Sequence, residues 1–252
     1  MKNQASLSVA IITHNEAANI ARTLGSVAWG DEIIVVDSGS TDDTAEIARQ
    51  HGAKVFFEEW RGFAAQKNFA IAQCTSDWIL SLDADEEVSP ELATEIRAAL
   101  TTPQADAYFI PRRNFFLGRW IRRGGYYPDA KLRLFRRGMA SFADRTVHET
   151  LQTSGKTATL KAGLLHHAYP TLSSYIEHMN RYSTLGAEVI GSRGKRISLF
   201  WHMFLTPAAT FVYNYIFRLG FLDGPEGLLL HAYHSVYVSW KYAKAWQRTR
   251  RT

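Results

Sequence analysis

The sequence predicts an α/β fold with an open sheet of mostly parallel strands, followed by a helical C-terminal appendage. In the first hundred of the 252 residues, short apolar runs typical of strands alternate with segments typical of helices. This alternation favours a parallel sheet joined by right-handed crossovers. After Pro170 the strand-like runs stop, and the chain is expected to be helical to its end. We therefore expect two domains, residues 1–170 and residues 171–252.

Four strands and four helices are expected in the first hundred residues. The strands are the apolar runs at 7–12, 32–36, 54–57 and 78–82. The helices are expected at 16–27, from Ser40 or Thr41 onward, at 64–72, and from Pro90 to about residue 100. Proline is favoured at the first position of a helix, where its missing N–H is not needed.

Beyond residue 105 the strand pattern becomes less regular. Further strands are expected at 108–110, 131–135 and 158–165, with a loop rich in Gly, Arg and Tyr at 118–128. The helical appendage is expected to break near 191–194 and 220–227, where glycines cluster.

The composition allows a large folded core. Hydrophobic residues make up 46% and charged residues 21%, as in globular proteins. The one cysteine, Cys74, excludes an intramolecular disulfide and a cysteine-based metal site, and it fits a reducing compartment. The first residues lead directly into a strand pattern without a long apolar segment, so we expect no signal peptide. The net charge of +5 is compatible with nucleic acid, an anionic membrane or anionic substrates as partners.

Two carboxylates at the end of the fourth predicted strand indicate a binding site. Asp83 directly follows the run 78–82, and Asp85 comes after one intervening residue. Ligands of open α/β sheets bind in the crevice at the carboxyl ends of the strands. Oxygen ligands in that position suit Mg²⁺ or Mn²⁺ carrying a diphosphate. Acidic pairs are also common in loops, so the interpretation depends on what lies nearby.

Polar residues also follow the first two predicted strands, and in a parallel sheet they share the edge of Asp83. Thr13 and Glu16 follow the first strand, and Asp37 follows the second. The Asp37 carboxylate is expected either to bind a nucleobase or ribose, or to cap the next helix. The chain lacks both the glycine-rich dinucleotide fingerprint and a P-loop, which disfavours those two ways of binding nucleotides.

Eight arginines lie between residues 112 and 137, interleaved with aromatic residues. Such a segment is typical of a nucleic-acid surface, of a site for an anionic glycan, or of an ordinary solvated loop. The neighbouring Asp-x-Asp pair favours the glycan, and Arg133, Arg136 and Tyr127 are the residues expected to face an acceptor.

Four segments, in this order, resemble family 2 inverting glycosyltransferases of the GT-A fold, which is Rossmann-like. They are SVAIITHNE at 8–16, VVDSGSTD at 35–42, QKN at 66–68 and LDADE at 82–86. The resemblance extends over roughly residues 6–170. Within that family, the segments at 131–137, 147–149 and 167–169 and the helical tail are most similar to bacterial β-glucosyltransferases of the lipopolysaccharide inner core.

The resemblance implies a donor site for a nucleotide-sugar. Asp37 would bind the uracil or ribose, with Thr13 and Glu16 beside the nucleoside. Lys67 would lie near the base or the phosphates, unless it is a solvated helix residue. Asp83 would lie near the ribose and the donor sugar.

The resemblance also implies a metal and a general base. Asp85 would hold Mg²⁺ or Mn²⁺ on the diphosphate. His167 is a candidate further ligand, although a histidine at a strand end is more often structural. Glu149 is the expected base that deprotonates the acceptor hydroxyl, and Asp144 is the alternative.

The function expected on this basis is transfer of a hexose, with inversion, to a lipid-linked saccharide such as the lipopolysaccharide inner core. The expected donor is UDP-glucose and the expected acceptor is an anionic glycolipid. Alternatives are another nucleotide-sugar or a polyprenyl-phosphate acceptor within the same family, a nucleic-acid-binding module, and an inactive scaffold. The retained carboxylates disfavour a scaffold, and no nucleic-acid partner is expected.

The C-terminal helices suggest contact with a membrane surface. The segment 199–217 is almost uncharged and is bounded by basic residues, but polar groups interrupt it. We expect it to lie in the interface of a bilayer rather than to span it; covering the core or a partner subunit is the alternative. The expected location is peripheral, at the cytoplasmic face of the inner membrane.

Overall fold

The computed structural model of the protein describes residues 5–143, 150–192 and 197–250. The chain forms two compact units, each made of two segments. The first comprises Met1–Arg112 and Ala130–His166, and the second comprises Arg113–Asp129 and His167–Thr252. The segment 113–129 was expected in the first domain, but it packs with the helical unit.

Most of the strands of the chain lie in the first unit. Within the described residues they are β1 (Leu7–Thr13), β2 (Glu32–Asp37), β3 (Lys54–Phe57), β4 (Trp78–Asp83), β5 (Glu86–Val88), β6 (Ala107–Phe116), β7 (Arg119–Trp120), β8 (Asp129–Arg136), β9 (Ala140–Ala143), β10 (Thr150–Thr153), β11 (Thr157–Thr159) and β12 (Leu164–Tyr169). The α-helices are α1 (Ile20–Val27), α2 (Thr44–Gln50), α3 (Phe63–Ala72), α4 (Pro90–Thr101), α5 (Leu172–Ser192), α6 (Thr206–Phe211) and α7 (Gly224–Thr249). Two π-helical segments, Trp201–Leu205 and Val212–Phe217, flank α6, and a 3₁₀ turn, Gly220–Asp223, precedes α7.

The main sheet has the strand order β3-β2-β1-β4-β8-β6-β12-β5. Strands β3, β2, β1 and β4 are parallel, and β8 joins β4 in antiparallel orientation. β7 and β11 pair with β6, and β9 forms a separate pair with β10. The predicted α/β class with an open, mostly parallel sheet is confirmed.

Apolar side chains cover both faces of the sheet. Along β1, Val9 and Ile11 enter one core cluster, while Ala10 and Ile12 enter another. Successive side chains of a strand point to opposite faces, so a strand buried on both sides is a continuous apolar run. This is why the sequence predicted β1, β2 and β4 to within one residue.

Two helices begin later than expected, because the residues before them bond to loops. The backbone N–H of Glu16 donates to Thr44 Oγ1 over 2.8 Å, and α1 begins only at Ile20. The Ser40 hydroxyl donates to Asp37, and α2 begins only at Thr44. The strand expected at 158–165 is two strands, β11 beside β6 and β12 beside β5.

Glu32 links three parts of the first unit. Its carboxylate accepts hydrogen bonds from Ser8 Oγ (2.5 Å), the Thr75 N–H (2.9 Å) and Lys54 Nζ (2.9 Å). Burial acts to raise the pKa of Glu32, but these bonds to the ionised form lower it to about 2. The carboxylate therefore contributes to the stability of this unit at neutral pH.

The second unit is built on α5 and α7 around Phe116, Tyr175 and Leu230. The His231 ring is buried and lies so close to Gly124 that a Cβ atom there would be 2.0 Å from it. Both Gly124 and Gly118 have positive φ, but a Cβ atom at Gly118 would point into open space. Among the described residues, no helix is both long and apolar enough to cross a bilayer.

Candidate active site

The candidate site lies where the strand order of the sheet reverses. The chain passes from β1 to β2 and β3 on one side and returns to β4 on the other. The register aligns Thr13 with Asp37 and Ile12 with Asp83, so these strand ends share one edge. The crevice at such a switch point is where open α/β sheets bind their ligands. The structure thus brings together the three polar clusters that the sequence analysis selected.

Asp83 is held by two cations. Lys67 Nζ lies 2.9 Å from one carboxylate oxygen and an Arg133 guanidinium nitrogen lies 2.6 Å from the other. Both cationic side chains are almost fully buried. Burial acts to raise the pKa of Asp83, but Arg133 and Lys67 outweigh it and hold the pKa well below its ordinary value. Asp83 is therefore ionised and fixed in place before any ligand binds.

Glu86, which the sequence analysis did not select, closes the acidic turn. One of its oxygens accepts the N–H of Asp83 over 3.0 Å. The other accepts from Arg133 over 2.6 Å and from Arg112 over 3.4 Å. Its side chain is 0% exposed, so these bonds replace water completely. Arg133 contacts both Asp83 and Glu86 and thereby fixes the two ends of the turn.

Asp85 projects from the middle of this turn. His166 Nε2 lies 3.4 Å from its Oδ2. Burial acts to raise the pKa of Asp85, but His166 draws it below the ordinary value, and Asp85 in turn raises the pKa of His166 against the effect of burial. Glu16 lies near enough for Asp85 to add to the effect of burial in raising the Glu16 pKa, which a bond from Asn19 opposes. Asp85 is thus an ionised carboxylate, about one quarter exposed, with His166 and Glu16 beside it.

Asp37 organises the loop that follows β2. Its carboxylate accepts the N–H groups of Gly39 (3.0 Å) and Ser40 (2.9 Å) and the Ser40 hydroxyl. The alternative role of Asp37, capping of α2, is not seen, because that helix begins further on, at Thr44. Thr13 Oγ1 is buried and has no hydrogen-bond partner among the described atoms.

Two of the three residues expected to face an acceptor, Arg133 and Arg136, lie toward opposite ends of the β4–β8 pairing. Arg133 is 4% exposed and belongs to the acidic turn. Arg136 pairs in register with Trp78, at the opposite end of β4 from Asp83, and its guanidinium lies 3.3 Å from Asp106. Tyr127 belongs to the second unit, where its ring packs edge-on against Trp120. The structure therefore corrects the placement of Arg133 and Arg136.

The histidine beside Asp85 is His166, whereas the candidate ligand was its neighbour His167. The His167 ring belongs to the second unit and stacks on Phe115, with ring centroids 5.1 Å apart. Neighbouring residues of a strand point to opposite faces, so His166 and His167 have different surroundings. Glu149 and Asp144, the two base candidates, lie outside the described residues.

The comparisons with known proteins agree with this fold. The chain is a glycosyltransferase: it belongs to Glycosyl transferase family 2, whose family model matches residues 8–161. It is 33% identical to the lipopolysaccharide core biosynthesis glycosyltransferase LpsC of Rhizobium meliloti (strain 1021), over 96% of this chain and 92% of LpsC. It is also 37% identical to an uncharacterized glycosyltransferase of Rickettsia felis, over 77% of this chain and 73% of that protein.

Two solved structures are similar to the chain in fold. The mannosyltransferase PcManGT from Pyrobaculum calidifontis, in complex with GDP-Man and Mn²⁺, has a TM-score of 0.55 at 18% identity, over 98% of this chain and 88% of its own. S. aureus TarS 1–349 in complex with UDP has a TM-score of 0.51 at 16% identity, over 97% and 92%. Identities this low support the fold alone. The predicted family and GT-A fold class are confirmed.

Proposed function

We propose that the protein transfers a hexosyl group, with inversion, from a UDP-sugar to a lipid-linked saccharide such as the lipopolysaccharide inner core. The proposed donor is UDP-glucose, and the group transferred is glucose. The observation that carries the proposal is the acidic turn 83–86 at the switch point of the sheet, with Asp83 neutralised by two buried cations and Asp85 left facing the crevice.

The donor side rests on the residues around that turn. Asp37 and Thr13 end the strands next to Asp83 and provide oxygen atoms for a nucleoside, and the buried Thr13 hydroxyl is available to donate. Lys67 and Asp83 form a fixed pair at this strand end, and in the proposed complex they would lie toward the ribose and the phosphates. A preformed arrangement of this kind needs little reorganisation when the donor binds.

The residues present fit a divalent metal. Among the described residues, no group of three or more His, Cys, Asp or Glu side chains is arranged to hold a metal without other ligands. Mg²⁺ is commonly held by only one or two carboxylates together with substrate phosphates and water. Asp85, ionised and partly exposed, is the carboxylate that would hold it. A metal bound there would neutralise charge on the departing diphosphate.

The proton transfer needs a carboxylate on the acceptor side. Glu149 is the proposed base: it would take the proton of the acceptor hydroxyl while that oxygen attacks the anomeric carbon from the face opposite the diphosphate. Asp144 is the alternative. The acceptor class is supported by LpsC, whose name assigns it to lipopolysaccharide core biosynthesis. A lipid-linked acceptor would hold the enzyme at a membrane surface, proposed here as the cytoplasmic face of the inner membrane.

Calorimetry tests the donor site. UDP is titrated into the protein with and without Mn²⁺, and we expect Mn²⁺ to tighten binding in the wild type but not in Asp85→Asn. Asp106→Asn is the matched control, because this carboxylate lies near the opposite edge of the same sheet, paired with Arg136. Equal enhancement by Mn²⁺ in Asp85→Asn and wild type would refute the metal assignment.

A screen of nucleotide release tests the donor and the acceptor. UDP-glucose, other UDP-sugars and GDP-mannose are each offered with intact lipopolysaccharide cores, delipidated cores or a polyprenyl phosphate. The proposal expects release from UDP-glucose that depends on the core. Release only with polyprenyl phosphate would support the alternative acceptor. Binding of a generic oligonucleotide, measured alongside, tests the alternative that the protein binds nucleic acid.

A further inference from the structure

The helical segment from 200 to 217 in the second unit carries an apolar stripe on its exposed face. The stripe consists of pairs at four-residue intervals: Phe200 and Trp201, Phe204 and Leu205, Ala208 and Ala209, Val212 and Tyr213, and Ile216 and Phe217. All ten residues are exposed, among them Trp201 at 62%, Phe204 at 66% and Phe217 at 73%. None of the ten carries a charge.

The polar residues of the same segment face inward. His202 packs on the ring of Tyr242 in α7, with centroids 4.6 Å apart, and the Met203 carbonyl accepts a bond from Ser239 of α7. Thr206 and Thr210 donate their hydroxyls to carbonyls of their own helix. A surface helix normally turns its apolar face to the core and its polar face to water. Here the exposed face is itself apolar, so it needs a partner from outside the chain.

The unusual winding of this segment keeps the stripe straight. Four residues of an α-helix advance by about 400°, so a four-residue repeat would drift about 40° around the axis per repeat. A π-helix has more residues per turn, and the two π-helical segments on either side of α6 offset that drift. π-Helical turns are rare and are often found at functional sites. The five residue pairs of the stripe therefore remain on one face along the whole segment.

Charge indicates what the partner is. The second unit contains fourteen Lys and Arg against five Asp and Glu, a net charge of +9, whereas the first unit is at −4 and the chain at +5. Arg218 is exposed directly after the stripe. Two copies of a unit with this charge repel each other, which disfavours a dimer through the stripe. An anionic lipid surface attracts the basic residues and accepts aromatic side chains at the depth of its headgroups.

We propose that the apolar stripe docks the enzyme on an anionic lipid bilayer, with the helix lying in the plane of the interface. This inference rests on the proposed function in one respect: a lipid-linked acceptor is what makes the contact useful. The mode of contact is interfacial, since no described helix could cross a bilayer, and an uncharged aromatic face beside basic residues is typical of interfacial helices.

Flotation of the full chain with vesicles tests the docking. One set of vesicles contains phosphatidylcholine with phosphatidylglycerol, and the other contains phosphatidylcholine alone. The wild type should float with the anionic set and much less with the neutral set. Phe204→Glu/Phe217→Glu should lower the partition coefficient by at least about tenfold, since two exposed rings are replaced by anions. Phe57→Glu is the control, since Phe57 is 70% exposed but lies on β3 of the first unit.

The outcomes separate this inference from its alternatives. Wild type that ignores anionic vesicles, or a double variant that floats as well as wild type, would overturn it. A dimer in analytical ultracentrifugation that the double variant abolishes would assign the stripe to a second copy instead. If circular dichroism finds the double variant unfolded, Ile216→Gln, at another exposed position, provides the measurement. UDP binding is measured without vesicles. A wild type that floats with anionic vesicles but does not bind UDP would refute the proposed function and leave the docking proposal supported.

Discussion

Arg133→Met is expected to be among the more destabilising single changes in the first unit. The substitution keeps a long side chain but leaves Asp83 and the fully buried Glu86 without the cation that lies 2.6 Å from each. Removing one partner of a buried ion pair typically costs about 3–5 kcal/mol. For a chain of this size that corresponds to a fall in Tm of about 6–20 °C.

Arg136→Met is the matched control on the same strand. The Arg136 side chain is 44% exposed and has one ion pair, with Asp106 at 3.3 Å. Exposed pairs of this kind contribute about 0–1 kcal/mol. Urea and thermal unfolding of the two variants and the wild type, measured side by side, give the comparison.

The effect of Arg133→Met should also depend on pH. The pKa of Asp83 is lowered in the folded wild type, so its ionisation stabilises the fold fully above an unfolded pKa of about 4, and this contribution declines as the pH falls from there toward the folded pKa. The difference between Arg133→Met and wild type should therefore be full at pH 7 and shrink as the pH falls below about 4. Two results would refute the reasoning: losses within 1 kcal/mol of each other for Arg133→Met and Arg136→Met, or an equal loss for Arg133→Met at pH 3 and pH 7.

Three further predictions test the fold and the chemistry. Glu32→Gln should lower the stability by about 1–3 kcal/mol at pH 7, and the difference in urea unfolding should fade as the pH approaches about 2, the folded pKa of this carboxyl; a difference that persists there would contradict the assigned bonds. Gly124→Ala should lower the Tm clearly more than Gly118→Ala: both have positive φ, which costs an alanine about 1–2 kcal/mol, but only the first also meets a buried ring. Glu149→Gln should reduce turnover by roughly 10²–10⁴ with UDP binding unchanged, with Asp144→Asn as the mild control; the reverse pattern would make Asp144 the base.

Most of the first half of the fold could be read from the sequence because β1, β2 and β4 are buried on both faces. Such strands are apolar runs, and their ends place Thr13, Asp37 and Asp83 at one edge whatever the details of packing. The starts of α1 and α2 were misplaced for a physical reason. Polar residues after a strand can cap a helix or bond to another loop, and only the folded chain decides which of these occurs.

The partners within the site could not be read from the sequence in the same way. Arg133 and Arg136 are three residues apart on one strand, and either could have reached Asp83. The antiparallel register, which sets Leu80 opposite Leu134, brings Arg133 to the acidic turn and leaves Arg136 at the far end of β4. Pairing register depends on contacts distant in sequence, and a single sequence with no strong local turn signal does not specify it.

The antiparallel pairing of β4 with β8 also fixes when the site can form during synthesis. Arg133 leaves the ribosome fifty residues after Asp83, and domains generally fold as units as the chain emerges. Until β8 has been made, β4 has an unpaired edge, and nascent chains with such an edge are prone to aggregate. A ribosome stalled before residue 129 would therefore hold a chain in which β4 has an unpaired edge and the acidic turn lacks Arg133. The intermediate most in need of a chaperone is thus one in which most of the donor-site residues are already present.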